Sequence, residues 1–241
     1  MRTRAPEPFV LKGGGASCRV RTWSGDSTVA QLVLYQQRQL PTPDDLRSWI
    51  DALGGRGFRT VRTGALNARQ ADALEPFGFV PIQHLALLEH RAPQDVPRPI
   101  GNTDRLQITE HEAASAVDHA AFGPPWGLDP PAIDEVRNAT HRHRARAMHQ
   151  RGRLVAFAIS GRDGRVGFLQ RLAVDPSAQR AGLGRRLVLD SLRWSARWRA
   201  GRVLVNTHVG NEAALALSAA TGFERLPEQL VVLERQLRGA A

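Results

Sequence analysis

The strongest constraint on this chain is a change of hydrophobic period across a short glycine-bearing loop. Val166-Gly167-Phe168-Leu169-Gln170-Arg171-Leu172-Ala173-Val174 reads as a strand, whereas Leu183, Leu187, Trp194 and Trp198, flanked by Val188 and Leu192, follow helical spacing up to Gly201. Between them lies Asp175-Pro176-Ser177-Ala178-Gln179-Arg180-Ala181-Gly182-Leu183-Gly184. A strand-to-helix turn of this kind exposes unpaired backbone N–H groups at the positive end of the helix dipole, and Gly182 and Gly184 let an anion approach the backbone. A bare G-x-G also occurs as a plain connector, so the flanking elements decide its meaning.

Upstream, Leu106-Gln107-Ile108-Thr109 alternates like a strand, residues 110–122 are helical in pattern until Gly123-Pro124-Pro125, and a second helix starts near Asp129-Pro130-Pro131. Residues 144–149, 154–159 and 166–174 read as a three-stranded meander. Downstream come a strand at Val203-Leu204-Val205, a helix over 211–220 closed by Gly222, and a last strand at Leu230-Val231-Val232-Leu233. The order predicts a mixed α/β fold.

Leu172-Ala173-Val174-Asp175-Pro176 followed by Gln179-Arg180-Ala181-Gly182-Leu183-Gly184 resembles the acetyl-CoA signature of the GCN5-related N-acetyltransferases, or GNAT superfamily. Asn211-Glu212-Ala213-Ala214-Leu215-Ala216-Leu217-Ser218-Ala219-Ala220-Thr221-Gly222-Phe223 resembles that family's next motif. The resemblance covers about residues 105–240 and implies a twisted mixed sheet flanked by helices. It also implies an acyltransferase that moves an acetyl group from acetyl-CoA, its co-substrate, to an amine, with no metal. Backbone N–H groups of Gln179, Arg180, Ala181, Gly182, Leu183, Gly184 and Arg185 are expected to hold the pyrophosphate. Leu172, Ala173 and Val174 lie along the pantetheine arm, and Asn211 hydrogen-bonds it. Arg186 adds positive charge.

The sequence departs from the family where proton transfer is concerned. Relatives place glutamate five residues before the motif asparagine and tyrosine seven after it; here these positions hold Asn206 and Ser218. Strand alternation puts His208 on the face of Asn206, which makes it a substitute base. Phe122 and Trp126 are expected to line the acceptor pocket, with Asp118, His119 and Glu135 as further polar groups on that side. His141-Arg142-His143-Arg144 lacks metal-ligand partners and reads as a basic surface turn.

Residues 93–104, rich in proline, read as a linker between domains 1–92 and 105–241. At an offset of 144, Asn67 aligns with Asn211, Gly78-Phe79 with Gly222-Phe223, Val61 with Val205, Thr63 with Thr207 and Gly57 with Gly201. The first domain is therefore expected to be a smaller, degenerate partial GNAT-like copy. Its helix starts at Thr42-Pro43-Asp44-Asp45, and its loop position, Tyr35-Gln36-Gln37-Arg38-Gln39-Leu40, holds no glycine.

A net charge of +10 suggests phosphate partners, but Lys12 is the only lysine among 33 basic residues, a bias that fits base composition of the genome, so nucleic acid is not the expected partner. The expected partner is a small-molecule or peptide amine, for a monomer or homodimer. No apolar run reaches the ~18 residues needed to span a bilayer. Cys18 stands alone and Met1-Arg2-Thr3-Arg4-Ala5-Pro6 opens no secretion signal, so a cytoplasmic location is expected. Two alternatives stay open: a non-catalytic acyl-CoA-binding regulatory module, and an aminoacyl-tRNA acetyltransferase.

Overall fold

The computed structural model describes residues 7–14, 16–34 and 39–237. They fall into two compact units, one drawn from Met1–Ala86 and Pro227–Ala241, the other from Leu87–Leu226. The first unit holds β1 (Phe9–Lys12), β2 (Ser17–Trp23), β3 (Asp26–Leu34), α1 (Pro43–Gly55), β4 (Thr60–Thr63), α2 (Ala68–Leu74) and the start of β5 (Val80–His90). Its sheet runs β1-β2-β3-β4 and is completed by β11 (Glu224–Gln236).

Local signals account for α1. Thr42 accepts a hydrogen bond from the Asp45 N–H at 3.2 Å, and Asp45 accepts one from the Thr42 N–H at 2.9 Å, a reciprocal cap before a first-turn proline. Leu46, Trp49 and Leu53, spaced three and four apart, are all but inaccessible and pack with Val20, Leu32, Val61 and Leu233. Each such side chain contributes about 1.5–3 kcal/mol of burial. Cys18 lies in the same core, where burial pushes its thiol up to about 12 and keeps it unreactive.

The closing strand is tied in by specific bonds as well as by its ladder. β11 runs antiparallel to β4, with Glu234 opposite Arg62 and Gln236 opposite Thr60. Arg62 reaches Glu234 at 2.5 Å, Thr60 donates to Gln236 at 2.9 Å, and the Leu233 N–H donates to Thr63 at 2.9 Å. The division expected at 92 and 105 is corrected accordingly. Pro227 onward belongs with the first unit because its ladder partner is β4, a pairing that hydrophobic period alone does not reveal.

The second unit contains the end of β5, β6 (Asp104–Arg105), α3 (His111–Phe122), α4 (Pro130–Asn138), β7 (Arg142–Gln150), β8 (Arg153–Asp163), β9 (Val166–Val174), α5 (Leu183–Arg197), β10 (Arg202–His208), α6 (Glu212–Ala220) and the start of β11. Its strands are ordered β5-β10-β9-β8-β7-β6. β7, β8 and β9 form the antiparallel meander, and α5 carries the chain over to β10, parallel to β9. Residues 154–160 of β8 are all buried because both sheet faces are covered. Phe157, Ile159 and Ala173 pack with Val117 of α3 and Ile133 of α4, while Ser160 bonds Ser191 of α5 at 2.7 Å on the other side.

Three local expectations are revised. Residues 106–109 are not a strand: Gln107 and Glu110 cap each other around a 3₁₀ turn, Ile108–Glu110, which diverts the chain into α3. α5 stops at Arg197, so Trp198 leaves the helical face and is 41% exposed, with Arg142 over its ring at 4.3 Å. Arg142 and His143 sit inside β7 rather than in a turn, so the strand expected at 144–149 begins two residues earlier.

The two units repeat one order, strand, helix, strand, helix, strand, as β3-α1-β4-α2-β5 and β9-α5-β10-α6-β11. In both, the first pair of strands is parallel. Asn67 caps α2 through Gln70 N–H at 3.0 Å and Asn211 caps α6 through Ala214 N–H at 3.1 Å, again 144 residues apart. Gly78 and Gly222, at φ 76 and 87, reverse the chain into buried Phe79 and Phe223. Among the described residues the first unit has no counterpart of β6, α3 and α4. The loop counterpart at 35–38 lies outside the described residues.

Candidate functional site

The site begins where β9 and β10 part. Their parallel register covers only Val166, Gly167 and Phe168 against Arg202, Val203 and Leu204. β9 stays paired to β8 as far as Val174 opposite Ala156. From Leu169 onward the other edge of β9 has no strand on it, so the backbone around Leu172, Ala173 and Val174 is open to an extended ligand. Ala173 turns its side chain into the core at 2% exposure, and Leu172 and Val174 are half-buried.

The loop after β9 is built by short-range bonds. Asp175 accepts from the Ser177 N–H at 2.9 Å and its hydroxyl at 2.5 Å, which sets the 3₁₀ turn Pro176–Ala178 and holds the Asp175 carboxyl below its usual range. Ala178 anchors the turn in the core, whereas Gln179, Arg180, Ala181 and Gly182 are exposed. Arg180 at φ 63 and Gly182 at φ 75 are both left-handed, and Gly182 is the cap residue of α5 with no side chain closing the helix end. The N–H groups of Leu183, Gly184 and Arg185 therefore remain for a ligand.

The two glycines do different work. Space around Gly182 is open, so its role is conformational. A Cβ on Gly184 would meet Leu217 of α6 at 3.1 Å, so Gly184 serves close helix packing rather than ligand approach. Asn211 is likewise revised: its Oδ1 is engaged in capping α6, which leaves the amide N–H group as its donor toward the cleft.

Asn206 and His208 are exposed and alternate with half-buried neighbours along β10. His208 Nδ1 lies 3.1 Å from the Gly210 N–H and accepts from it, which in the neutral ring assigns the proton to Nε2. As placed, His208 presents a donor. Ser218 is 9% exposed on the inner side of α6, and its carbonyl accepts from the Phe223 N–H at 3.0 Å.

On the opposite wall stands a group that sequence reasoning did not single out. Arg171 of β9 makes a two-pronged ion pair with Asp118 at 2.7 and 2.6 Å, donates to the Trp126 carbonyl at 2.8 Å, and lies 3.6 Å over the Phe122 ring. Asp118, wholly buried, also accepts from the Leu128 N–H at 2.7 Å. It is a structural counter-ion rather than an acceptor-side base. His119 is similarly occupied by the Ser115 carbonyl at 2.9 Å, and Glu135 is half-buried on α4. The one signal was an arginine within the apolar run of β9. Asp118→Ala is expected to lower stability by about 3–5 kcal/mol, since it leaves a largely buried guanidinium unpaired. Denaturant unfolding measures this, and a loss under ~1 kcal/mol shows the pair is well replaced by water.

β7 is pinned to the entry of α3 by His149, whose ring meets Glu110 at 2.7 Å and Asp104 at 3.3 Å. Burial alone lowers its pKa, but the two carboxylates outweigh this and the net direction is up. A raised folded value means that the stabilisation is present below the ordinary value of 6.5 and fades as pH rises through the folded one. An NMR titration of His149 with a midpoint below 6.5 contradicts this.

Among the described residues no group of three or more His, Cys, Asp and Glu side chains could hold a metal ion, and no helix is long and apolar enough to cross a membrane.

Residues 112–223 match the family model described as Acetyltransferase (GNAT) family. Over 106 residues the chain is 34% identical to the N-alpha-acetyltransferase RimI of Mycobacterium tuberculosis, covering 42% of this chain and 63% of that protein. The chain thus spans less than two thirds of that relative's length. Among solved structures, a tandem GNAT protein from the clavulanic acid biosynthesis pathway aligns with TM-score 0.66 at 14% identity, over 100% of this chain and 86% of its own. A GCN5-related N-acetyltransferase from Kribbella flavida aligns with TM-score 0.63 at 16% identity, over 94% and 89%. At these identities the two structures speak for the fold alone.

Proposed function

We propose that this chain, whose residues 112–223 match the GNAT family model, is an acetyltransferase of that family and moves an acetyl group from acetyl-CoA to an amine by direct transfer. The observation that carries the reading is the parting of β9 and β10 beside the uncapped start of α5. That opening fits an elongated donor ending in a pyrophosphate: N–H groups of the loop and the first turn of α5 take the phosphates, and the edge of β9 takes the amide-bearing arm. Backbone N–H groups near Val174 then face the thioester carbonyl oxygen as the amine nitrogen attacks its carbon and the thiolate departs. The relative named an N-alpha-acetyltransferase supports an α-amine, such as a peptide N-terminus, as acceptor.

Of the three polar groups at the cleft, Asn206 cannot take a proton and Ser218 is buried. His208 takes the amine proton once its ring turns from Gly210. His208→Ala is then expected to lower kcat by about 10²-fold, the usual scale of a general base, with donor KM unchanged. A non-catalytic acyl-CoA-binding module is the second reading, favoured by the engagement of His208 Nδ1 and the burial of Ser218. Release of free thiol from acetyl-CoA, offered α-amino peptides, polyamines, amino acids and aminoglycosides in turn, decides between them. CoA binding without thiol release in every case leaves only the module.

A further inference from the structure

β7 carries Arg144 and Arg146 in alternation with Ala145 and Ala147, so the alanines enter the core with α3 and α4 while the arginines stand on the α5 side. There they border a cleft of about 610 Å³, lined also by residues 98, 99 and 101–104 and by Arg193, Trp194 and Arg197 of α5. That volume lies within the roughly 300–1,000 Å³ of small-molecule sites. No residue of the loop 179–186 lines it.

The charges in this cavity do not balance. Five arginines, 98, 144, 146, 193 and 197, face two aspartates. Asp190 is committed to Arg144 at 2.9 and 3.0 Å, and Asp104 to His149. Arg146 has only neutral partners, the hydroxyl of Thr103 at 2.8 Å and its carbonyl, and Arg193 donates to the Val96 carbonyl at 3.2 Å. Among the described residues Arg98 and Arg197 have no carboxylate partner. Burial and the neighbouring Arg144 lower the pKa of Arg146 by more than Asp190 and Asp104 raise it. A second cavity of about 220 Å³ continues the groove past Arg144 and Arg146 to Arg137, whose buried Nε has no hydrogen-bond partner.

Neutral oxygens hold the guanidinium groups of Arg146 and Arg193 in place without cancelling their charge, which is how a fixed anion receptor is made. We infer that the cavity between β7 and α5 is a second anion site, separate from the α5 loop, and that it takes a small phosphorylated molecule bearing at least two phosphate charges. A concave site of about 610 Å³ matches the size of a compact metabolite, whereas a nucleic-acid strand tracks a longer groove.

The full chain is titrated with inorganic pyrophosphate, as wild type, as Arg98→Glu/Arg197→Glu and as Gly182→Glu, by calorimetry and equilibrium dialysis, with folding checked by circular dichroism. With the α5 loop disabled by Gly182→Glu, one pyrophosphate site is expected to remain, and Arg98→Glu/Arg197→Glu added to that variant is expected to weaken it at least tenfold. Arg193→Ala, expected to weaken binding several-fold, serves if the double variant fails to fold. No binding at millimolar pyrophosphate, undiminished binding in the arginine variants, or loss of binding in Gly182→Glu overturns the site.

Discussion

Gly182→Glu is expected to abolish CoA binding, by more than a hundredfold in affinity, while leaving the fold of the second unit intact. Gly182 sits at φ 75, where a non-glycine residue incurs roughly 1–2 kcal/mol of strain. Nothing lies within 4 Å of its Cβ position, so a side chain fits there. The added carboxylate lies at the uncapped start of α5 and is attracted to the same N–H groups proposed for the pyrophosphate. Strain and helix-end attraction offset each other in stability, whereas the ligand loses its donors and meets a like charge. Calorimetric titration with CoA measures the effect; unchanged affinity places the donor elsewhere. Gly182→Ala separates the terms, since it adds the strain without the charge and is expected to weaken binding by roughly tenfold at most.

The second large effect concerns the last strand. A chain ending at Leu226 is expected to lose the native fold of its first unit, because it loses the whole antiparallel partner of β4 and the buried Leu233. Removing Leu233 alone is worth about 2–5 kcal/mol, and an unpaired β4 edge adds its open N–H and C=O groups. The Arg62–Glu234 pair and the Thr60–Gln236 bond go with them. The readout is amide hydrogen exchange in β2, β3 and α1: protection there equal to that of the full chain shows that β11 is dispensable. Residues 1–92 expressed alone lack the same strand and are expected to behave likewise.

The donor loop was legible because everything that makes it is local. Asp175 bonds Ser177 two residues on, Gly182 reverses the chain where it stands, and the spacing of Leu183 and Leu187 announces the helix at once. The repeat was legible for the same reason, since Asn67 and Asn211 each cap the helix they begin. That same cap sets what Asn211 can offer a ligand: its Oδ1 closes the helix, and its amide N–H group is left to donate. Arg171 stayed hidden because its partner Asp118 is 53 residues away. The turn at 108–110 was missed because Leu106-Gln107-Ile108-Thr109 alternates like a strand, whereas Gln107 and Glu110 bond each other's backbone. A strand's period gives the face it buries, not the neighbour it joins, and so the placement of β11 could not be read from Leu230-Val231-Val232-Leu233.

That placement carries a consequence for synthesis. Thr60 waits for Gln236 across 176 residues, so the half of the protein made first is completed by nearly the last residues described. Most domains made early fold while the remainder is still being translated. Here the early segment has an open sheet edge and an unfinished core until β11 arrives, and contacts of such separation form slowly. The second unit, whose described elements from β6 to α6 are continuous in sequence, is free to fold before the first is finished. The first unit thus cannot be completed until the last strand has been made, and until then its open edge is available to other strands.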